Sequence, residues 1–94
     1  MLAIHPGRIL KRELTARQLS ANRLAIALRL PSGRITDILN GKRGISPDTA
    51  LRLGRYFGNE PCFWLNLQTA FDLAEETRRK GERIAAEVIP AKVA

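Results

Sequence analysis

Residues 21–40, ANRLAIALRLPSGRITDILN, carry two apolar stripes separated by a short break. Leu24, Ala25 and Leu28 fall at i, i+1 and i+4, and Ile35, Ile38 and Leu39 at i, i+3 and i+4, so each set lines one side of a helix. Leu30 lies between them, and Arg29-Leu30-Pro31 leaves room only for a tight turn. Two helices joined so closely must also cross closely, which the alanine at position 25 permits and a larger side chain would not. Gly41 follows the second stripe, where a helix ends on a left-handed residue, and Lys42 and Arg43 come directly after it. The pattern predicts a helix-turn-helix. Its second helix is expected from about residue 32 or 33 to Asn40, with Ser32 accepting from the first free amides. Arg29 stands where such a turn favours left-handed backbone, a strained choice for a residue with a Cβ.

Outward from this core the chain reads as all-α. Pro6 and Gly7 open a first helix through Leu14, with Ile9, Leu10 and Leu14 as its apolar side and Thr15 to Leu19 as connector. Ser20 is a good N-cap for the helix that carries Leu24. Downstream, Ser46-Pro47-Asp48 combines N-cap, N1 proline and first-turn acid, and starts a fourth helix that should stop at Gly58. Asn59-Glu60-Pro61 restarts a fifth, unbroken to about Lys80, where Gly81 is expected to interrupt before a last piece from Glu82 to Ile89. Residues 1–75 are thus expected to form one DNA-binding domain, and 76–94 a helical extension or a partly disordered tail.

The charge is uneven. The 94 residues carry a net charge of +7, but residues 1–57 hold eleven Arg or Lys against three acids and residues 58–94 hold five against six. All the excess surrounds the motif, an electrostatic footprint for a polyanion that a membrane surface or heparin-like partner would also accept, so charge alone does not choose. Cys62 is the single cysteine, which excludes an intrachain disulfide and a thiolate cluster, and is expected to be buried. The N-terminal MLAIHPGRIL lacks a signal-peptide core, and no stretch approaches the roughly 18 apolar residues of a membrane span, so a cytoplasmic chain is expected. No cofactor, metal or catalytic site is expected, because paired carboxylates, metal-ligand spacing and a nucleophile-base set are missing from the sequence. His5, lone and near a helix start, is expected to be structural.

In a helix-turn-helix the second helix lies in the major groove of double-stranded DNA, while the first crosses the backbone. With Ile35, Ile38 and Leu39 turned inward, Ser32, Gly33, Arg34, Thr36, Asp37 and Asn40 face outward. Arg34 is the best base reader, since a guanidinium can engage guanine O6 and N7 together. Thr36 can meet a thymine methyl or a phosphate. Asp37 would repel phosphate, so in the groove it must accept from a cytosine amine or brace Arg34, and bracing is its expected role. Lys42, Arg43, Ser20, Asn22 and Arg23 are placed to hold phosphates on either side of the groove. Gly33 lowers helix propensity by roughly 1 kcal/mol relative to Ala, and its use is close backbone approach to DNA.

The fifth helix is too apolar for a single buried side. Phe63, Leu67, Ala70, Phe71 and Ala74 make a stripe at helical spacing, with Trp64 and Leu65 pointing elsewhere. These residues either complete the core or pair two copies. The expected homodimer interface is Phe63, Trp64, Leu65, Leu67 and Phe71, which would set two reading helices about 34 Å apart, as a palindrome requires.

The chain resembles the HigA-type antitoxins of bacterial toxin–antitoxin operons, which carry an XRE-like helix-turn-helix. The resemblance rests on Ile4-His5-Pro6-Gly7, Asn22-Arg23-Leu24-Ala25, Arg34-Ile35, Asn40-Gly41-Lys42-Arg43-Gly44-Ile45, Asp48-Thr49-Ala50-Leu51-Arg52-Leu53 and Phe63-Trp64-Leu65-Asn66-Leu67-Gln68. It implies a five-helix XRE or lambda-repressor-like domain with a C-terminal helical extension. It also implies a dimer that represses its own operon at a palindromic operator and masks a cognate toxin resembling RelE-fold messenger-RNA endonucleases. Family members usually carry an acid where this chain has Arg8, a glutamine where it has Ala21, and a glycine where it has Arg29, so operator sequence does not carry over. Two alternatives are a free-standing XRE-like repressor and a protein-only toxin-masking factor that keeps the motif as scaffold.

Overall fold

The computed structural model describes residues 3–92. The outermost ends of two readings, residues 1 and 2 of the leader argument and 93 and 94 of the tail, lie outside them. The described residues form five helices and no strand: α1 Pro6–Ala16, α2 Ala21–Leu28, α3 Ser32–Leu39, α4 Pro47–Phe57 and α5 Pro61–Glu87. Local chemistry explains most boundaries. The Ser20 hydroxyl accepts from the Arg23 amide (3.1 Å) to start α2, and Ser46 does the same for Thr49 (3.3 Å) at α4. Gly41 closes the motif with φ +75°, as the stop signal required. At α3 the cap is Pro31, not Ser32, and no side chain completes it. Pro31 holds extended backbone and helical geometry begins at Ser32, which puts the serine hydroxyl inside the first turn instead of ahead of it.

Arg29 adopts the left-handed conformation that the turn demands, with φ 60° and ψ 42°. Left-handed backbone costs a residue with a Cβ about 1–2 kcal/mol, partly offset because glycine loses more entropy on folding. Arg29→Gly is therefore expected to stabilise the fold by about 0.5–1 kcal/mol, seen as a higher urea midpoint with an unchanged slope. A lower midpoint would mean that the Arg29 side chain holds the turn.

Leu10, Leu14, Leu24, Ala25, Leu28, Ile35, Ile38, Ile45, Ala50, Leu53 and Trp64 form one buried cluster. Ala25 is 1% exposed at the α2–α3 crossing, as close packing required. Two expectations fail on α5. Cys62 is exposed, because it lies about 200° round the helix from Trp64, the residue that enters the core. Gly81 does not interrupt: α5 runs 27 residues to Glu87. Glycine costs about 1 kcal/mol there, but ion pairs Arg78–Glu75, Arg79–Glu76, Lys80–Glu76 and Arg83–Glu87 flank it at i,i+3 and i,i+4 spacing. Each contributes about 0.2–0.5 kcal/mol, enough together to offset the glycine. The helix is about 40 Å long and gives the molecule its 54 × 26 × 22 Å shape.

Candidate nucleic-acid interface

Three contacts seat α3. Its Ile35 and Ile38 are fully buried, and α2, whose Ala25 is buried too, packs against it. On the other side α1 comes so close that the backbone of Gly7 rests on the Ile38 carbonyl. The side chain of His5 fixes the start of α1: its Nδ1 accepts from the Gly7 amide (2.9 Å), and its ring meets Phe71 of α5 edge-on at 4.9 Å. Burial lowers the His5 pKa below 6.5, against the opposing pull of the Asp72 charge and of a hydrogen bond to the Arg43 backbone. The neutral form is the one that can accept from Gly7. His5 is thus the structural residue expected, tying α1, α5 and the loop after α3.

That loop has a second tie. The Ile45 amide donates to Gln68 Oε1 (2.7 Å), and Gln68 Nε2 donates to Asp72 (2.9 Å). At its other end the Lys42 and Arg43 amides donate to the Asp37 carbonyl at 2.8 and 3.2 Å, folding the basic pair back over the end of α3. Gln68 was not among the expected site residues. No local signal singled it out, because Asn66 on the same helix is an equally polar amide.

None of the expected DNA-facing residues is buried. Ser32, Gly33, Thr36 and Asn40 form the exposed ridge of α3, while Arg34 and Asp37 stand half-buried on its shoulders. The Thr36 hydroxyl donates to the Ser32 carbonyl (3.1 Å), leaving its methyl and lone pairs outward. No ion pair joins Arg34 to Asp37, so the brace is not formed in the free chain. A Cβ on Gly33 would meet nothing within 4 Å, so the fold itself has no use for glycine there. Ser20, Asn22 and Arg23 lie exposed at the start of α2, and Lys42 and Arg43 beyond α3.

The ion pairs divide the chain. Of the eleven cations in residues 1–57, only Arg17 and Arg52 have an acidic partner, at 3.1 and 3.0 Å. Arg52 also donates to the Leu28 carbonyl (2.9 Å) at the end of α2. Arg23, Arg34, Lys42 and Arg43 are unpaired, whereas Arg78, Arg79, Lys80 and Arg83 on α5 all hold glutamates. Cations without internal acids are free to neutralise phosphate.

The residues expected to pair two copies divide differently. Trp64 is fully buried within one chain, and its indole N–H donates to Asn59 Oδ1 (3.0 Å). It belongs to the core, since Phe57 of α4 and Phe63 of α5 lie against its ring, Asn59 between the two helices takes its N–H, and no part of it is left exposed to a second copy. Leu65 and Leu67 pack half-buried on the same core, and Phe71 leans on His5. Phe63 is 45% exposed, and with Leu73 (66%) and Ile84 (47%) it makes the apolar surface that α5 leaves open. Among the described residues no cluster of His, Cys, Asp or Glu is arranged to hold a metal, and no helix is long and apolar enough to cross a membrane.

No protein-family model matches the chain. Individual proteins do. Over 74 residues it is 55% identical to virulence-associated protein I of Dichelobacter nodosus, covering 78% of this chain and 68% of the relative. It is 50% identical to an addiction module antidote protein of the HigA family from Coxiella burnetii, whose structure superposes with a TM-score of 0.93 over 97% of this chain and 100% of that one. The structure of the Pseudomonas aeruginosa antitoxin HigA with the higBA promoter matches at 41% identity and a TM-score of 0.93, again over 97% and 100% of the two chains. With the helix-turn-helix, the five-helix order and full-length identity of this level in agreement, the chain belongs to the HigA family of antitoxins.

Proposed function

We propose that this chain is an antitoxin that, as a dimer, represses its own operon by binding a palindromic operator and neutralises a RelE-fold toxin encoded beside it. The observation that carries the DNA half is the concentration of unpaired cations around the exposed ridge of α3. The relative from Pseudomonas aeruginosa, solved with promoter DNA, supports it. In this reading Arg34 reads a base, and Ser32, Gly33, Thr36, Asp37 and Asn40 line the groove. Ser20, Asn22, Arg23, Lys42 and Arg43 hold the backbone. Gly33, idle in the free fold, lets the helix backbone approach the bases. Residues 1–75 are the DNA-binding unit and 76–94 its extension. Two copies meet along α5 through Phe63, Leu73 and Ile84, a revision of the interface expected from sequence. The role is one of binding without catalysis, and its place is the cytoplasm.

The test is fluorescence anisotropy with a duplex from the promoter upstream of the gene. The roughly six phosphate contacts that Arg23, Lys42 and Arg43 make in a dimer should alone lower affinity by about three orders of magnitude between 50 and 200 mM salt. Absence of salt-sensitive binding at micromolar protein would remove the DNA role. Two variants separate reading from holding. Arg34→Ala is expected to cost about 1–3 kcal/mol on the operator and to relax one base position, whereas Lys42→Ala should weaken operator and random DNA alike. Equal losses on both duplexes for Arg34→Ala would refute its reading role. The protein half is tested by co-expression with the neighbouring toxin gene and co-purification of the product.

A further inference from the structure

The outer face of α1 is a charged surface that the interface above does not use. Arg8, Lys11 and Arg12 stand at i, i+3 and i+4, so all three share one side of the helix, and all are exposed. None has an acidic partner, and the one acid of α1, Glu13, is taken by Arg17 at 3.1 Å. Together with Thr15, Ala16 and Leu39 they line an open groove of about 580 Å³. Leu39 is the last residue of α3, so this groove touches the end of the reading helix, three residues before Lys42 in the chain. Like charges one turn apart destabilise the helix that carries them, and no acid of the free chain pairs with these three.

We propose that this face is a second phosphate-binding strip, which holds the DNA backbone alongside the groove entered by α3. The inference rests on the DNA reading above. A phosphodiester backbone is favoured over an acidic protein segment by the lining itself. Ala16 and half-buried Leu39 are its only apolar members, and the Thr15 hydroxyl is engaged with the Lys11 carbonyl (2.9 Å). A docked peptide needs apolar anchors in pockets, whereas a polyanion needs only charge. Contacts of this kind add affinity and position without reading sequence.

The test uses the full chain with Arg8→Gln, Lys11→Gln and Arg12→Gln combined, and Lys11→Gln alone as a gentler variant whose fold is checked by circular dichroism. Exposed glutamines keep helix propensity close to that of Arg and Lys. A control with Arg55→Gln, Arg79→Gln and Lys92→Gln removes the same net charge elsewhere. Anisotropy on the promoter duplex and on a random duplex, from 50 to 200 mM salt, gives the slope of log affinity against log salt. Arg23, Lys42 and Arg43 give a dimer about six phosphate contacts and the strip about six more, so the wild-type slope should be about −11, shrinking by about 5 for the triple variant and about 2 for Lys11→Gln. The ratio of promoter to random affinity should stay unchanged, and the control should remain within about 1 of the wild-type slope. A triple-variant slope equal to that of the control overturns the strip while leaving the DNA reading intact. Loss of toxin co-purification with an unchanged slope overturns it too, and assigns the face to an acidic protein surface. A wild-type chain with no salt-sensitive binding fails the DNA reading itself.

Discussion

Trp64→Ala should cost about 3–5 kcal/mol of folding free energy, the range for removing a large aromatic side chain from a core. Trp64 is fully buried, with ring centroids 5.9 Å from Phe57 and 5.1 Å from Phe63, so it joins the end of α4 to the start of α5. Truncation opens a cavity at that joint and leaves the Asn59 side chain without the indole N–H it accepts at 3.0 Å. A domain of this size has about 5–15 kcal/mol in total, so the variant should be largely unfolded in modest urea. Trp64→Phe keeps most of the apolar volume and should lose clearly less. Urea unfolding followed by circular dichroism measures both. A Trp64→Ala variant with unchanged stability but no dimer would show instead that the ring lies between two copies.

Gly7→Ala is the second large effect, expected at about 3 kcal/mol although it adds a single methyl group. A Cβ there would overlap the Ile38 carbonyl oxygen and stand 2.9 Å from its carbon. That carbonyl cannot retreat freely, because it accepts from the Gly41 amide (3.1 Å) where α3 ends. Either α1 lifts off α3 or the end of the reading helix shifts, and both loosen the His5 cap on the Gly7 amide. With a slope near 1 kcal/mol per molar urea, the midpoint should drop by about 3 M. DNA affinity measured at low temperature, where the variant is still folded, should fall as well. A midpoint within about 0.5 M of wild type would mean that the two helices are not in contact there.

The helix-turn-helix was legible because its determinants are local. Leu24, Ala25, Leu28, Ile35 and Ile38 announce two faces by spacing alone, Gly41 announces a stop, and left-handed Arg29 follows from the length of the turn. What escaped depends on residues far apart in sequence. Gln68 holds the Ile45 amide across 23 positions, and no local pattern marks that bond. Trp64 and Phe63 give the same apolar signal on adjacent positions of α5. Only the packing of α4 shows that one enters the core and the other does not. Cys62 was judged by the average habits of cysteine, and the phase of the helix overrode them. Gly81 was read as a breaker because glycine costs helix stability, but the i,i+3 and i,i+4 pairs around it repay that cost. The Arg34–Asp37 brace looked natural at i,i+3, yet no ion pair joins the two side chains, since spacing on a helix permits such a pair without forming it.

The division of the ion pairs gives this protein two opposite responses to its solvent. On α5 the cations hold glutamates and add helix, so dissolved salt weakens them slightly. Over residues 1–57 nine of eleven cations have no acidic partner, an excess of like charge that repels itself in the free fold. Ions that screen this repulsion make the isolated chain easier to fold, and the same ions compete with it for DNA. A polyanion relieves the strain as it binds, so for this molecule occupancy and stability rise together, and the chain is most fragile when it has nothing to hold.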